Sequence, residues 1–343
     1  NTPAQALQLR IPLSDLGNPS AVYFVAYMSY GDGGGGFYGT SDSNYAVSIS
    51  DNNISGYYGG VGLKSSGATL WSTSNSTITA SATNPTSGGK YGEVTISNHV
   101  TVNNSGGASE FEIISGGKLE IPAAYSLTVN GDFRSNGETI LNSSSTQFSS
   151  LIIQGTSSGN ITYNRWVNAV GDYEWDLIGS PVVGQSISGF ASTNSSALAT
   201  GGSGNTQYAI GDFDNSQSSV ADAWTNLTTT SIGSAGPFDV GIGYAMGTTS
   251  GATLAFTGTV STVNVDQSIT NNTGNSGYRW NLVANPYPSY INANDDTHPT
   301  NNFLKVNETA IDDENYLFIY GWDANGSSDS YTPYGNNYQG NDT

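Results

Sequence analysis

Apolar and polar positions alternate along the middle of this chain in short bursts. Val94-Thr-Ile96, Val100-Thr-Val102, Phe111-Glu-Ile113, Leu119-Glu-Ile121, Leu127-Thr-Val129, Thr139-Ile-Leu141, Leu151-Ile-Ile153 and Ile161-Thr-Tyr163 each offer two like-facing side chains. A period of two sets such a pair on one face of a strand. Gly, Asn or Ser follows each burst, as in Ser115-Gly-Gly117 and Asn130-Gly131, so the chain turns before a longer strand can form. Residues 92–163 are therefore expected to build a β-solenoid-like segment of short rungs. The spacing is not strictly periodic, and a meander inside an ordinary sandwich is the competing reading. Every window long enough to show a 3.6-residue period is interrupted by Gly, Asn, Ser or Thr, so the whole chain is expected to be all-β.

The flanks differ. In residues 1–79 the alternating run Ala6-Leu-Gln-Leu-Arg-Ile11, a Pro-Leu-Ser-Asp-Leu-Gly turn, and the aromatic run Val22-Tyr-Phe-Val-Ala-Tyr-Met28 predict a hairpin of a partial β-sandwich. Residues 80–91 read as a linker. Downstream, Trp175-Asp-Leu-Ile-Gly-Ser-Pro181 returns as Trp280-Asn-Leu-Val-Ala-Asn-Pro286, displaced by 105 residues. Tyr208-Ala-Ile-Gly-Asp-Phe-Asp214 then parallels Phe318-Ile-Tyr-Gly-Trp-Asp323, and Ala223-Trp-Thr225 parallels Ser330-Tyr-Thr332. Two tandem copies of one β-sandwich-like unit follow, residues 164–270 and 271–343, with Trp and Leu expected in equivalent core positions and Pro ending the strand. The second copy stops at Thr343 before matching all of the first, so it is expected to be an incomplete repeat within a longer protein.

The phrase Ile11-Pro-Leu-Ser-Asp-Leu-Gly-Asn-Pro19 resembles the late strands of DOMON-like and carbohydrate-binding-module-like sandwiches of secreted bacterial proteins. Gly131-Asp-Phe, residues 155–166 and the two Trp-Leu-Pro motifs resemble a region of large secreted proteins of the Bacteroidetes, particularly flavobacteria, exported by the type IX secretion system. That resemblance covers about residues 92–343 and implies an extracellular or outer-surface location.

Charge narrows the partners. Eight Lys+Arg stand against 27 Asp+Glu, a net charge of -19, and the cations are scattered singly, so no basic stripe can track a phosphate backbone or an anionic bilayer. With no Cys and only His99 and His298, thiolate zinc sites, disulfides and a Ser-His-Asp triad lack material. No apolar run approaches the roughly 20 residues that span a bilayer, so membrane insertion is not expected.

Three kinds of chemistry remain. Glu110 with Glu112, or Glu174 with Asp176, would stand about 7 Å apart on one strand face, a spacing that glycan hydrolysis can use. The same alternation describes an ordinary solvent face, and no catalytic residue is assigned. Asp212 and Asp214, and in the second copy Asp323, Asn325 and Asp329, place oxygen ligands at alternate positions around tight turns, a pattern suited to calcium and equally to hairpin turns. Tyr27, Tyr30, Tyr38, Tyr57 and Tyr58 crowd the first segment beside Asn and Asp, as a glycan-stacking surface would. The leading expectation is a non-enzymatic extracellular structural or adhesive protein, a stalk or filament component that can self-associate. The alternative is a set of carbohydrate-binding modules of a secreted polysaccharide-degrading protein.

Overall fold

The computed structural model describes residues 71–72, 77–78, 90–96, 99–102, 106–171, 175–272, 280–294, 302–311, 318–322 and 331–335. The sandwich expected in residues 1–79 and its five tyrosines lie outside the described residues, apart from two short strands at its end. The fold is all-β with a few short helices.

Among the described residues twelve strands come first: β1 (Trp71–Ser72), β2 (Thr77–Ile78), β3 (Lys90–Ile96), β4 (His99–Val102), β5 (Gly106–Ile113), β6 (Lys118–Ile121), β7 (Ser126–Val129), β8 (Phe133–Ser135), β9 (Glu138–Asn142), β10 (Ser150–Ile153), β11 (Ser157–Gly159) and β12 (Ile161–Val167). They are dealt alternately to two sheets. One holds β1, β3, β5, β7 and β10, with β8 and β11 continuing the same side; the other holds β2, β4, β6, β9 and β12. Every ladder among these twelve is parallel, which a coil produces and a meander does not. The step between stacked residues varies, from 17 (Val94 to Phe111) through 20 (Leu119 to Thr139) to 24 (Leu127 to Leu151), which is why no strict period appears in the sequence.

The alternation works as the pattern demands. Leu119 and Ile121, Leu127 and Val129, and Ile161 and Tyr163 are buried, while the residues between them are not. Like stacks on like from rung to rung: Phe111 lies in register with Phe133, ring centroids 6.1 Å apart and both rings buried. Where the coil bends, glycine is obligatory. A Cβ on Gly137 would stand 2.3 Å from the Gly117 carbonyl oxygen, and Gly159, at φ +79°, would place one 1.9 Å from that of Ser135. The outward faces carry polar ladders. His99, Glu120, Asn142 and Asn164, one per rung, are linked by hydrogen bonds of 3.1, 2.9 and 2.9 Å.

The coil does not end on an open edge. β12 runs through the boundary expected at residue 163 and is covered by a strand that arrives 85 residues later, β18 (Ala252–Gly258), antiparallel over seven residue pairs from Ile161↔Gly258 to Val167↔Ala252. Between them lie β13 (Asp176–Ile178), helix α1 (Ile187–Thr193), β14 (Thr200–Gly201), β15 (Gln207–Phe213), helix α2 (Val220–Ala223), β16 (Trp224–Thr228) and β17 (Tyr244–Met246). Their five strands form one antiparallel sheet in the order β13-β17-β15-β14, with β16 also on β15.

Helix α1 was not expected. Ser186 caps it by accepting from the Gly189 N–H, and its Phe190 is buried between Phe256 of β18 (4.5 Å) and Phe238 (5.1 Å), so burial overrides a poor helical composition. The free side of β18 is satisfied by this segment. Asn194, buried just past α1, accepts from the Ala255 N–H (2.8 Å) and donates to the Ala255 carbonyl (3.0 Å), as a neighbouring strand would. Gln185 accepts from the Thr257 N–H, and Val183 and Thr259 exchange two backbone bonds. One continuous apolar core consequently runs from Ile96 in the coil to Val260. The last described elements are α3 (Phe303–Val306) and the antiparallel hairpin β19 (Phe318–Trp322) with β20 (Tyr331–Gly335). Among the described residues no helix is long and apolar enough to cross a membrane.

Candidate functional site

The two copies of the Trp-Leu-Pro motif come together. The first supplies β13, which pairs with 244–246; the second pairs with the adjoining 241–243, through the Ile242↔Val283 bridge and the Gly243 N–H to Leu282 carbonyl bond. Their small residues face each other: a Cβ on Gly179 would meet the Cβ of Ala284, its counterpart in the second copy, at 2.4 Å. One of the two must be glycine. The order motif, short helix, hairpin recurs in both copies, with Phe213↔Trp224 closing the first hairpin and Trp322↔Tyr331 the second.

The second position of the motif has one task in two chemical forms. Asp176 accepts from the Asn168 N–H at 2.6 Å and from its Nδ2 at 3.2 Å, tying the motif to the end of β12. Asn281 accepts from the Thr270 N–H at 2.9 Å and returns a bond to the Thr270 carbonyl at 3.0 Å. Burial raises the pKa of Asp176 above the ordinary carboxylate value, against the Asn168 hydrogen bonds and the charge of Arg165. Arg165 lies over the Phe148 ring, 3.8 Å from its centroid. Asp176 is thus a structural clamp at the coil junction; Glu174, the other member of its suggested pair, lies outside the described residues. The other suggested pair is equally occupied: Glu110 approaches Arg134 (3.6 Å) and Glu112 accepts from Asn136 (3.1 Å), both on the outer face of the coil.

Between the copies lies a cleft of about 240 Å³ lined by Phe213, Asp214, Asn215, Ile242, Trp280 and Asn281 among others. Its wall is built by Asn215, whose buried amide donates to the carbonyls of Trp280 (2.8 Å) and Thr270 (3.2 Å) and accepts from Thr270 Oγ1 and Asn272 Nδ2. Beside it Asp214 stands in solvent, its carboxylate oriented by the Ser216 N–H (2.9 Å) and Gln217 Nε2 (2.6 Å). Hydrogen bonds from the Ser216 side chain, from Gln217 and then from the Ser216 N–H hold its pKa below the ordinary value.

Trp280 departs from expectation. It is 47% exposed at the rim of the cleft, set perpendicular to Tyr320 at 4.7 Å, while Leu282 of the same motif packs on Gly243. The paired segment is residues 282–284, and Trp280 lies before it, where no strand packs its side chain against the sheet.

Of the residues singled out for calcium, Asp212 and Asp214 are described. Asp214 borders the cleft, whereas Asp212 is half-buried, its pKa raised by burial and then by the nearby charge of Asp239. Asp323, Asn325 and Asp329 lie outside the described residues. Among the described residues no three His, Cys, Asp or Glu side chains converge as ligands of a metal ion would. Asn215, Asn194 and Arg165 escaped the sequence reading because nothing local marks one Asn among many as buried. For Trp280 the repeat was the signal.

A family model described as a domain of unknown function (DUF8693) matches residues 66–343. No curated protein and no solved structure matches the chain.

Proposed function

We infer that this chain, which belongs to the DUF8693 family, is a non-enzymatic stalk or adhesive element outside the cell. The observation that carries the reading is the uninterrupted parallel ladder of the coil, sealed at its far end by β18 and carrying the antiparallel unit there. Rung-to-rung hydrogen bonds, an apolar interior and a polar exterior whose charges pair across rungs, as Lys118 with Glu138 and Arg134 with Glu110, make a stiff spacer. The resemblance to large secreted proteins supports the location. Because Asn194, Gln185 and Val183 satisfy the outer side of β18, copies do not add there by strand pairing. Immunogold labelling of intact cells tests the proposal: decoration at a distance from the surface is the expected result, and label reached only after lysis sinks it. A second reading, a carbohydrate-binding module of a polysaccharide-degrading protein, is favoured by one observation, the half-exposed Trp280 beside Asp214.

A further inference from the structure

The tails that follow the two Trp-Leu-Pro motifs each reach an edge of the coil. At the 105-residue displacement of the repeat, Val183 corresponds to Pro288 and Gln185 to Tyr290. In the first copy Val183 exchanges two backbone bonds with Thr259 (2.8 and 3.0 Å), just past β18, and the Gln185 side chain accepts from the Thr257 N–H at 2.7 Å. In the second, the Pro288 carbonyl accepts from the Leu151 N–H of β10 at 2.8 Å, and the Tyr290 hydroxyl donates to the Phe148 carbonyl at 3.2 Å. Equivalent positions thus bond an edge in the same way, the first through its backbone and the second through its side chain.

The Ser150 and Gln154 N–H groups donate to Tyr125 and Val129 on the β7 side, so by strand alternation the Leu151 N–H points away from β7, where a further strand would add. The second tail occupies that side. Pro286 and Pro288 are buried, and Asn285 shapes the turn between them: its Oδ1 accepts from the Tyr287 N–H at 3.1 Å and its Nδ2 donates to the Ser289 carbonyl. The tail is anchored before by the pairing of 282–284 with 241–243, and after by the Asn292 and Ala293 carbonyls, which accept from Phe303 and Leu304 of α3. Val183 donates and accepts, whereas a proline only accepts, so Pro288 satisfies β10 without offering a donor to another strand. We propose that residues 286–290 guard the β10 edge, and that the partner they exclude is a second copy of this chain, pairing β10 with β10 across a two-fold axis. Ser150-Leu-Ile-Ile153 is uncharged and apolar, with Ile152 exposed, so two such edges meet without opposed charges.

The test follows amide exchange by NMR and association by sedimentation velocity on the full chain. In the parent the Leu151 amide should be protected as a ladder bond is, and fast exchange there overturns the guard without any variant. Asn285→Ala combined with Tyr290→Phe loosens the tail. Exchange at Leu151 about tenfold faster, with association that grows with concentration, is expected. Tyr290→Phe alone, at an exposed side chain, serves if the double variant does not fold. Adding Ile152→Lys sets like charges together in the two-fold pair and should abolish the association. Unchanged exchange in the loosened variant overturns the tail as the source of protection. Fast exchange without association overturns the second copy as the partner, and association that survives Ile152→Lys overturns β10 as the pairing edge.

Discussion

The coil and the antiparallel unit draw on the same stock of Asn, Ser, Thr and Gly and use it in opposite ways. In the coil, backbone groups pair with backbone groups on the next rung, and asparagines such as Asn142 and Asn164 form an outward ladder over an interior already saturated with ladder bonds. In the unit, pairing is antiparallel and interrupted, and side-chain amides replace missing strands: the buried Asn194 along β18 and Asn215 across the cleft, and the half-buried Asn281 on Thr270. A ladder that repeats can satisfy its own donors, and a terminus cannot. The amide carries one acceptor and two donors, the nearest side-chain mimic of a peptide group. Closing an end therefore falls to asparagine.

The comparison can be broken most forcefully in the coil interior. Phe133→Ala, which removes a fully buried ring stacked on Phe111, should cost about 3–5 kcal/mol in urea denaturation. Because one core spans both regions, circular dichroism and tryptophan fluorescence should report a single transition, and two separated midpoints would show that the regions fold independently.

Next comes a pair of glycines. Gly137→Ala sets a Cβ 2.3 Å from one carbonyl oxygen and 2.5 Å from another and should cost roughly 1–3 kcal/mol, whereas Gly201→Ala in β14 meets nothing within 4 Å and should be near neutral in thermal melts. Equal effects would remove the distinction between packed corners and open loops. Asn194→Ala strands the Ala255 amide and carbonyl and should cost about 1–3 kcal/mol. It also opens the edge of β18, so concentration-dependent association should appear in sedimentation velocity. A variant that stays monomeric while destabilised would mean that the amide supports the fold without guarding the edge.

The smallest effects are electrostatic and of opposite sign. The folded state raises the pKa of Asp176, so it binds that proton more tightly than the unfolded chain does. The stability this gives is present below the unfolded value and is lost as pH rises through the folded one. For Asp214 the folded pKa is lowered, and its contribution is present above the unfolded value and lost as pH falls through the folded one. Parent-minus-variant melting temperatures, followed from about pH 3 to 8, should slope downward with pH for Asp176→Asn and weakly upward for the exposed Asp214→Asn. Slopes of the same sign would contradict the contrast between a buried clamp and a solvated turn.

Much of the coil was legible because its information is local. Leu119-Glu-Ile121 and Leu127-Thr-Val129 name their inward residues by alternation alone, and Gly117 and Gly137 mark corners where only glycine fits. The repeat also exposed both motif copies, down to the matched hairpins. The cleft was less legible: Asp214 was singled out for calcium, and Trp280 was assigned to a core.

What the sequence determined by itself is the β period, the turns and the duplication, since each depends on residues a few positions apart or on self-similarity. Only the tertiary structure decided that rungs pair in parallel at steps of 17 to 24 residues, that β18 returns to close the coil, and that Gly179 meets Ala284. Those outcomes depend on which groups are left without a partner once the local strands exist. An Asn at position 194, 215 or 142 carries the same side chain, and only the burial around it separates a substitute strand, a cleft wall and a surface ladder.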